Sequence, residues 1–277
     1  RLETIIELLD YHVRNNNINE RFRFEELLLK SEQVPIEAKI GRIEDITLDQ
    51  RFYAENFFRI GGLISTLSMH YPTERTIIHL YTNHLCRGGM FDDAMNYLRR
   101  HLDDEGVTVE DFELIASLDY TLKRDDLLKE DLERGVKLFS KSVNLWTMYA
   151  AYKYQQGLTK ESIAVMRKAL KLTENDEDRS LCLGRIGDFY HDLDNDAKAF
   201  KYYREALSYD PENAEVLNNY AYYLSLKDLD LEKALAMAQL AITLEENNYN
   251  YIDTYAWVLH RLGRNDEAKK YMRQALS

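Results

Sequence analysis

The chain has 277 residues, 45% of them hydrophobic, enough for a sizeable core, and its three prolines and eleven glycines are too few for a turn-rich all-β protein. It carries 36 basic and 48 acidic side chains, a net charge of −12, and no basic stripe of the kind a nucleic-acid binder shows. No run of about 18 apolar residues is present to span a bilayer.

Taken in order, Leu2, Ile5, Ile6, Leu8, Leu9 and Val13 follow the helical period and predict an amphipathic helix. Asn15, Asn16 and Asn17 break it, and a second helix is predicted over Phe22 to Leu29. Pro35 opens a third at its first turn, where a missing N–H costs nothing, with Ile36, Ile40, Ile43 and Ile46 as its stripe. A long helix is then predicted from about Leu48 to His70, through Phe52, Phe57, Phe58, Ile60, Leu63, Ile64 and Leu67. Gly61 and Gly62 within it cost about 1 kcal/mol each relative to alanine. We expect a neighbouring helix to approach closely there, with a hinge as the alternative. Residues 1–74 therefore read as degenerate helical hairpins.

From Tyr71-Pro72 onward a period emerges. The clearest unit runs from Leu183 to Pro211: Leu183, Ile186, Gly187 and Tyr190 in one helix, Ala199, Tyr203 and Ala206 in the next, and Pro211 closing. Six such repeats are predicted over 75–277, with starts near 75, 109, 143, 180, 214 and 249. Their slots hold Ile78, Tyr81, Gly89 and Ala94 in the first, Phe112, Ile115 and Ala116 in the weak second, and Trp146, Ala150 and Gly157 in the third. Leu217, Tyr220 and Ala221 mark the fifth, and Ile252, Tyr255, Ala256, Gly263 and Ala268 the sixth. The extra residues of the array are expected in loops, around Asn175 to Asp178 and in the turn Lys227 to Leu231. Small residues sit where paired helices cross, and rings fill the space opposite them. The twenty tyrosines are accordingly expected mainly at seams between helices.

These slots, in the order W-x2-L-G-x2-Y…A-x3-F…P with Leu183 in place of Trp, resemble the tetratricopeptide repeat. The resemblance implies an all-α fold, a right-handed α-solenoid of helical hairpins. The segments Leu217 to Leu224 and Ile252 to Leu259, with Val34 to Ile40 upstream, further resemble tetratricopeptide-repeat proteins of Bacteroidetes, many of them cell-envelope lipoproteins. That implies a periplasmic or outer-membrane-anchored scaffold; a cytoplasmic location is the alternative. The chain starts at Arg1 rather than at Met, and a trimmed start is expected, with room for a removed signal peptide or lipid-attachment cysteine. It stops at Leu276-Ser277, directly after the last second helix. Either a polar capping helix has been lost or the end meets another molecule, which leaves open a homodimer through it.

Catalytic and metal-binding patterns are sparse. His79 and His84 are five apart and His101 lies on the next helix, so none forms an H-E-x-x-H pair, and His191-Asp192 reads as a helix-end cap. Gly184 and Gly187 lie within a helix, not in a phosphate loop. Met148, Met166, Met237 and Met272 occupy core slots. Cys86 and Cys182 fall three repeats apart, far outside disulfide reach, and are expected to be small buried hydrophobes. We therefore expect no catalytic residue, metal or cofactor.

What remains is surface. In the family resembled here the first helix of each pair lines a concave groove. That helical phase places Asn83, Arg87, Tyr120, Tyr154, Arg185, Asp188, Asn219, Tyr222, Trp257 and His260 along it, and Tyr, Trp and Arg are types enriched at binding hot spots. The family's carboxylate clamp needs cations beside an asparagine. Asn219 matches the asparagine, but Gly184, Asp188, Asn250 and Thr254 stand in the flanking places, which disfavours an acidic chaperone tail. The expected function is a non-catalytic scaffold binding a protein or peptide segment, basic or neutral in character, in envelope assembly or regulation. Self-assembly through the C-terminal end or the N-terminal hairpins is the alternative.

Overall fold

The computed structural model describes residues 2–276, and among them the regular secondary structure is helical. One compact unit, ending at Asp131, holds α1 (Leu2–Arg14), α2 (Ile18–Lys30), α3 (Ile36–Leu48), α4 (Gln50–Glu55), α5 (Phe57–His70), α6 (Arg75–Arg87), α7 (Phe91–Arg99) and α8 (Val109–Thr121). The boundary falls within α9 (Asp125–Leu138). The second unit holds α10 (Val143–Gln155), α11 (Thr159–Leu170), α12 (Asp176–Asp192), α13 (Asp196–Tyr209), α14 (Ala214–Leu226), α15 (Leu231–Leu244), α16 (Tyr249–Arg261) and α17 (Asn265–Ala275).

In the first unit Leu9, Leu28, Leu29, Ile43, Ile46, Ile60, Leu63, Ile64, Leu67 and Ile77 form a common core. The single long helix expected over Leu48 to His70 is two helices. Asp49 accepts the Phe52 N–H at 3.0 Å and starts α4, while the Asn56 side chain donates to the Phe52 carbonyl at 3.0 Å and ends it. These local side-chain bonds compete with helix continuation, which hydrophobic periodicity does not register. Pro35 sits one place earlier than expected, as the residue before α3 rather than in its first turn. Of the two adjacent glycines, only Gly61 is approached: a Cβ there would lie 2.5 Å from His84 Nε2, whereas one at Gly62 would meet nothing within 4 Å. The close neighbour is a side chain, and it concerns one glycine rather than both. Glu25 is fully buried but doubly bonded by Arg42, Nη2 to Oε1 at 2.6 Å and Nε to Oε2 at 2.9 Å, which satisfies an otherwise costly buried charge.

In the second unit α10 pairs with α11, α12 with α13, α14 with α15 and α16 with α17, and each second helix also packs on the next first helix. Polar caps set the starts of the first helices. Ser142, Asn175 and Asn213 accept the N–H of Leu145, Asp178 and Val216 at 3.1, 2.7 and 3.1 Å, each cap contributing about 1 kcal/mol. The three residues expected in a loop near Asn175 instead lengthen α12 to 17 residues, because Asn175 caps the helix ahead of them. The additional residue in the turn before α15 does lie outside helix, where Asp228 and Asp230 adopt left-handed backbone angles. The same register in the other repeats is left-handed too: Gly89, Lys123, Gly157, Asp194 and Gly263 all have positive φ. That is why glycine recurs after the first helix of a pair.

The core of this unit is rich in small residues, and two of its glycines are closely approached by side chains. Ala150, Ala169, Ala199, Ala206, Ala221, Ala234, Ala238 and Ala241 are all fully buried. At Gly187 an added Cβ would lie 2.6 Å from Tyr203 Cε1, and at Gly184 it would lie 2.5 Å from Val216 Cγ2. Tyrosine pairs close the seams within hairpins, Tyr81 with Tyr97 at 4.8 Å, Tyr190 with Tyr202 at 5.4 Å and Tyr255 with Tyr271 at 4.8 Å between centroids. Cys182 is buried, and its thiol is pushed up to about 11 by desolvation; Cys86 is only half-buried, and both are free. Met166 and Met237 are buried, while Met148 and Met272 keep part of their surface.

These contacts separate two glycine substitutions. Gly187→Ala drives a methyl into the Tyr203 ring and is expected to destabilise by about 1–3 kcal/mol. Gly62→Ala enters open space in a helix and is expected to stabilise by up to about 1 kcal/mol. Equilibrium urea unfolding of the two variants checks both signs.

Candidate partner-binding face

The first helices bury one side in their hairpins and present the other, and most of the expected binding residues lie on the presented side. In the first unit Asn83 and Arg87 are exposed on α6, Arg87 with its guanidinium 4.0 Å above the Tyr53 ring, and Tyr120 is 57% exposed on α8. In the second unit Tyr154, Arg185, Tyr222 and His260 are exposed on α10, α12, α14 and α16, and Trp257 is half-buried.

The structure joins several of these residues. Arg185 bridges α12 to α14 through Glu215 at 2.8 Å, a surface pair of modest energy. Tyr154 donates its hydroxyl to Asp192 and packs 4.9 Å from Phe189, and its pKa is pushed up to about 12, first by that carboxylate and then by burial. Asp188 and Asn219 are tied inward: Asp188 accepts from the Tyr203 hydroxyl at 2.6 Å and from Asn219 Nδ2 at 3.1 Å. Their polar groups are largely spent on each other, so in the clamp-like position the Asn219 amide is already engaged. Of the other residues in the clamp-like positions, Gly184 and Thr254 are buried and Asn250 is exposed. Trp257 lies 5.8 Å from His260 between ring centroids, and His260 Nδ1 lies 2.7 Å from Asn265 Oδ1. The Trp257 Nε1–H is buried and has no acceptor.

Two features escaped the sequence pattern. The first is an open pocket of about 480 Å³ in the first unit, lined by Phe57, Phe58, Tyr81, His84, Tyr97 and Arg100. It lies half a turn around α6 from Asn83 and Arg87, because Tyr81 and Leu85 line it. Phe58, which lines it and was expected in the apolar stripe of a helix, is 85% exposed. Its floor is His84, stacked 4.1 Å from Phe57, with Nδ1 2.7 Å from the Tyr53 hydroxyl; burial, then the Arg87 charge, lowers its pKa to about 4, so the ring is neutral. The second is the stacking of Tyr223 on His191, 3.6 Å between centroids. Among the described residues no three His, Cys, Asp or Glu side chains are grouped to hold a metal ion, and no helix is long and apolar enough to cross a membrane.

The tetratricopeptide-repeat family model matches residues 143–176, 182–213 and 251–277. The chain carries tetratricopeptide repeats. No curated protein matches it. Among solved structures, PilF of Pseudomonas aeruginosa is 18% identical and superposes with a TM-score of 0.60 over 71% of this chain and 87% of that one. PilW, described as a widely conserved type IV pilus biogenesis factor, is 16% identical with a TM-score of 0.61 over 72% and 90%. YrrB, described as a tetratricopeptide-repeat protein with an unusual peptide-binding site, is 13% identical with a TM-score of 0.51 over 65% and 89%. At these identities the similarity establishes the tetratricopeptide fold.

Asp188 gives this face a measurable pH dependence. Burial pushes its pKa up to about 6, outweighing the bonds from Tyr203 and Asn219 and the charge of Arg185; burial also drives the Tyr203 phenol strongly upward, so Tyr203 remains the donor. Between an ordinary carboxylate value of about 4 and about 6, the folded state keeps a proton that the unfolded chain has lost. Stability therefore falls as pH rises through that window, by at most about 3 kcal/mol. Asp188→Asn cannot ionise, and its stability relative to the parent is expected to rise by about 1–3 kcal/mol between pH 4 and pH 7 in urea titrations. A difference that stays flat would place the Asp188 pKa at its ordinary value.

Proposed function

We propose that this protein is a non-catalytic scaffold that binds a protein or peptide segment along the presented side of its first helices. The observation that carries this reading is the second unit's run of Tyr154, Arg185, Tyr222, Trp257 and His260 on successive first helices. These are aromatic and cationic types that anchor interfaces, on helices whose other sides are committed to the core. Asp188, Asp192 and Glu215 lie among them, and with the net charge of −12 they favour a neutral or basic segment over an acidic one.

A role in assembly at the cell envelope is part of the proposal. Its support is analogy of fold with PilW, whose description as a pilus biogenesis factor is a property of that protein, as the peptide-binding site is of YrrB. The test is affinity capture from the source cell with the parent protein and with Tyr222→Ala and Arg185→Ala variants. Both changes are on the exposed side, and circular dichroism is expected to be unchanged. The expected outcome is a partner that the parent retains and the variants lose at least tenfold. Equal retention by folded variants would show that this side does not bind.

A further inference from the structure

The pocket of the first unit holds a polar group that the fold leaves unused. His84 is 4% exposed and lines the pocket, and its two ring nitrogens differ in their surroundings. Nδ1 lies 2.7 Å from the Tyr53 hydroxyl, which is itself buried and has no other partner among the described residues. A buried phenol proton needs an acceptor, and Nδ1 is the one in reach, so Tyr53 donates and Nδ1 accepts. The neutral imidazole then carries its proton on Nε2. Nε2 has no partner among the described residues, yet it is not sealed, in contrast to the buried and unpaired Nδ1 of His12. A Cβ at Gly61 would lie 2.5 Å from it, so the side chain that Gly61 lacks is what leaves Nε2 uncovered on that side of the pocket. Gly62 continues the opening: it also lines the pocket, and a Cβ there would meet nothing within 4 Å. Glycine within a helix is costly, and packing does not explain this one.

We propose that this pocket binds a small aromatic compound carrying one uncharged acceptor oxygen, as a phenol does, with that oxygen bonded to His84 Nε2–H. The inference stands apart from the scaffold reading, because the pocket lies half a turn around α6 from Asn83 and Arg87. Three observations select the ligand class. Phe57, Phe58, Tyr81 and Tyr97 line the pocket and offer ring faces and edges to a ring. The unpaired Nε2–H calls for an acceptor, which a plain hydrocarbon ring does not supply. Asp93 and Arg100, the charged lining residues, are both exposed and of opposite sign. The lining therefore has no net charge to repay an ion for leaving water, and an uncharged ligand is favoured. The volume of about 480 Å³ falls within the roughly 300–1,000 Å³ usual for small-molecule sites.

The test begins with two measurements that need no variant. In nitrogen NMR of the histidine-labelled protein, His84 is identified as a ring that stays neutral at pH 5. It is expected to carry its proton on Nε2 and none on Nδ1. Added p-cresol is expected to shift the His84 ring signals saturably. Toluene, the same ring and methyl without the oxygen, is expected to bind at least fivefold more weakly. Gly62→Leu, at an exposed position with open space around it, is expected to weaken p-cresol at least tenfold without lowering the urea midpoint. A His84 proton on Nδ1, no saturable shift, or equal binding of p-cresol and toluene would overturn the proposal. Undiminished binding by folded Gly62→Leu would also overturn it, because p-cresol would then sit elsewhere. N-acetyltyrosinamide binding at least tenfold tighter than p-cresol would overturn the free compound as ligand, in favour of a tyrosine borne by a protein.

Discussion

The α12–α13 hairpin at the middle of the second unit depends on a ring filling the space that a missing side chain leaves. Gly187 has no Cβ, and the Tyr203 ring occupies the volume that a Cβ would contest, at 2.6 Å. The contact lets α12 and α13 cross closely, and it has a consequence at the surface. The same tyrosine extends its hydroxyl to Asp188, which in turn receives the Asn219 amide from α14. One core crossing thereby fixes the arrangement of the presented sides of two first helices. The energy resides mainly in packing, because close-packed interiors penalise both the void and the extra methyl. The polar tip adds direction: a buried phenol that must find an acceptor finds one only in this geometry.

Much of this was legible in the sequence because the repeat fixes a register. The alanine slots, the glycines Gly89, Gly157 and Gly263 after first helices and the tyrosine seams follow from a fixed spacing of small and large residues, and the structure buries the alanines, gives these glycines left-handed turns and pairs the rings. What escaped depends on single polar side chains. Asn56 ends α4 and Asn175 extends α12 by bonding locally to the backbone, and neither event changes the apolar period. Gly61 and Gly62 look alike in sequence, but only one of them faces the imidazole of His84.

The candidate face divides along the same line. Helical phase alone identified which side of each first helix is presented, and so placed Arg185, Tyr222 and His260 at the surface. Phase could not show that Asp188 and Asn219 would satisfy one another, since that pairing needs the α12–α14 approach. The pocket around His84 was illegible for a related reason, because residues of α5, α6 and α7 line it jointly, outside the strict repeat.

The central claim is that the Gly187–Tyr203 contact is a direct physical coupling and that two independently tolerated positions would not behave in the same way. A double-mutant cycle measures this: Gly187→Ala, Tyr203→Leu and the pair, each by equilibrium urea unfolding at one pH. The account predicts a coupling of at least about 1 kcal/mol, with the alanine costing markedly less once the ring is gone. Additive effects, with Gly187→Ala equally costly beside leucine, would contradict it.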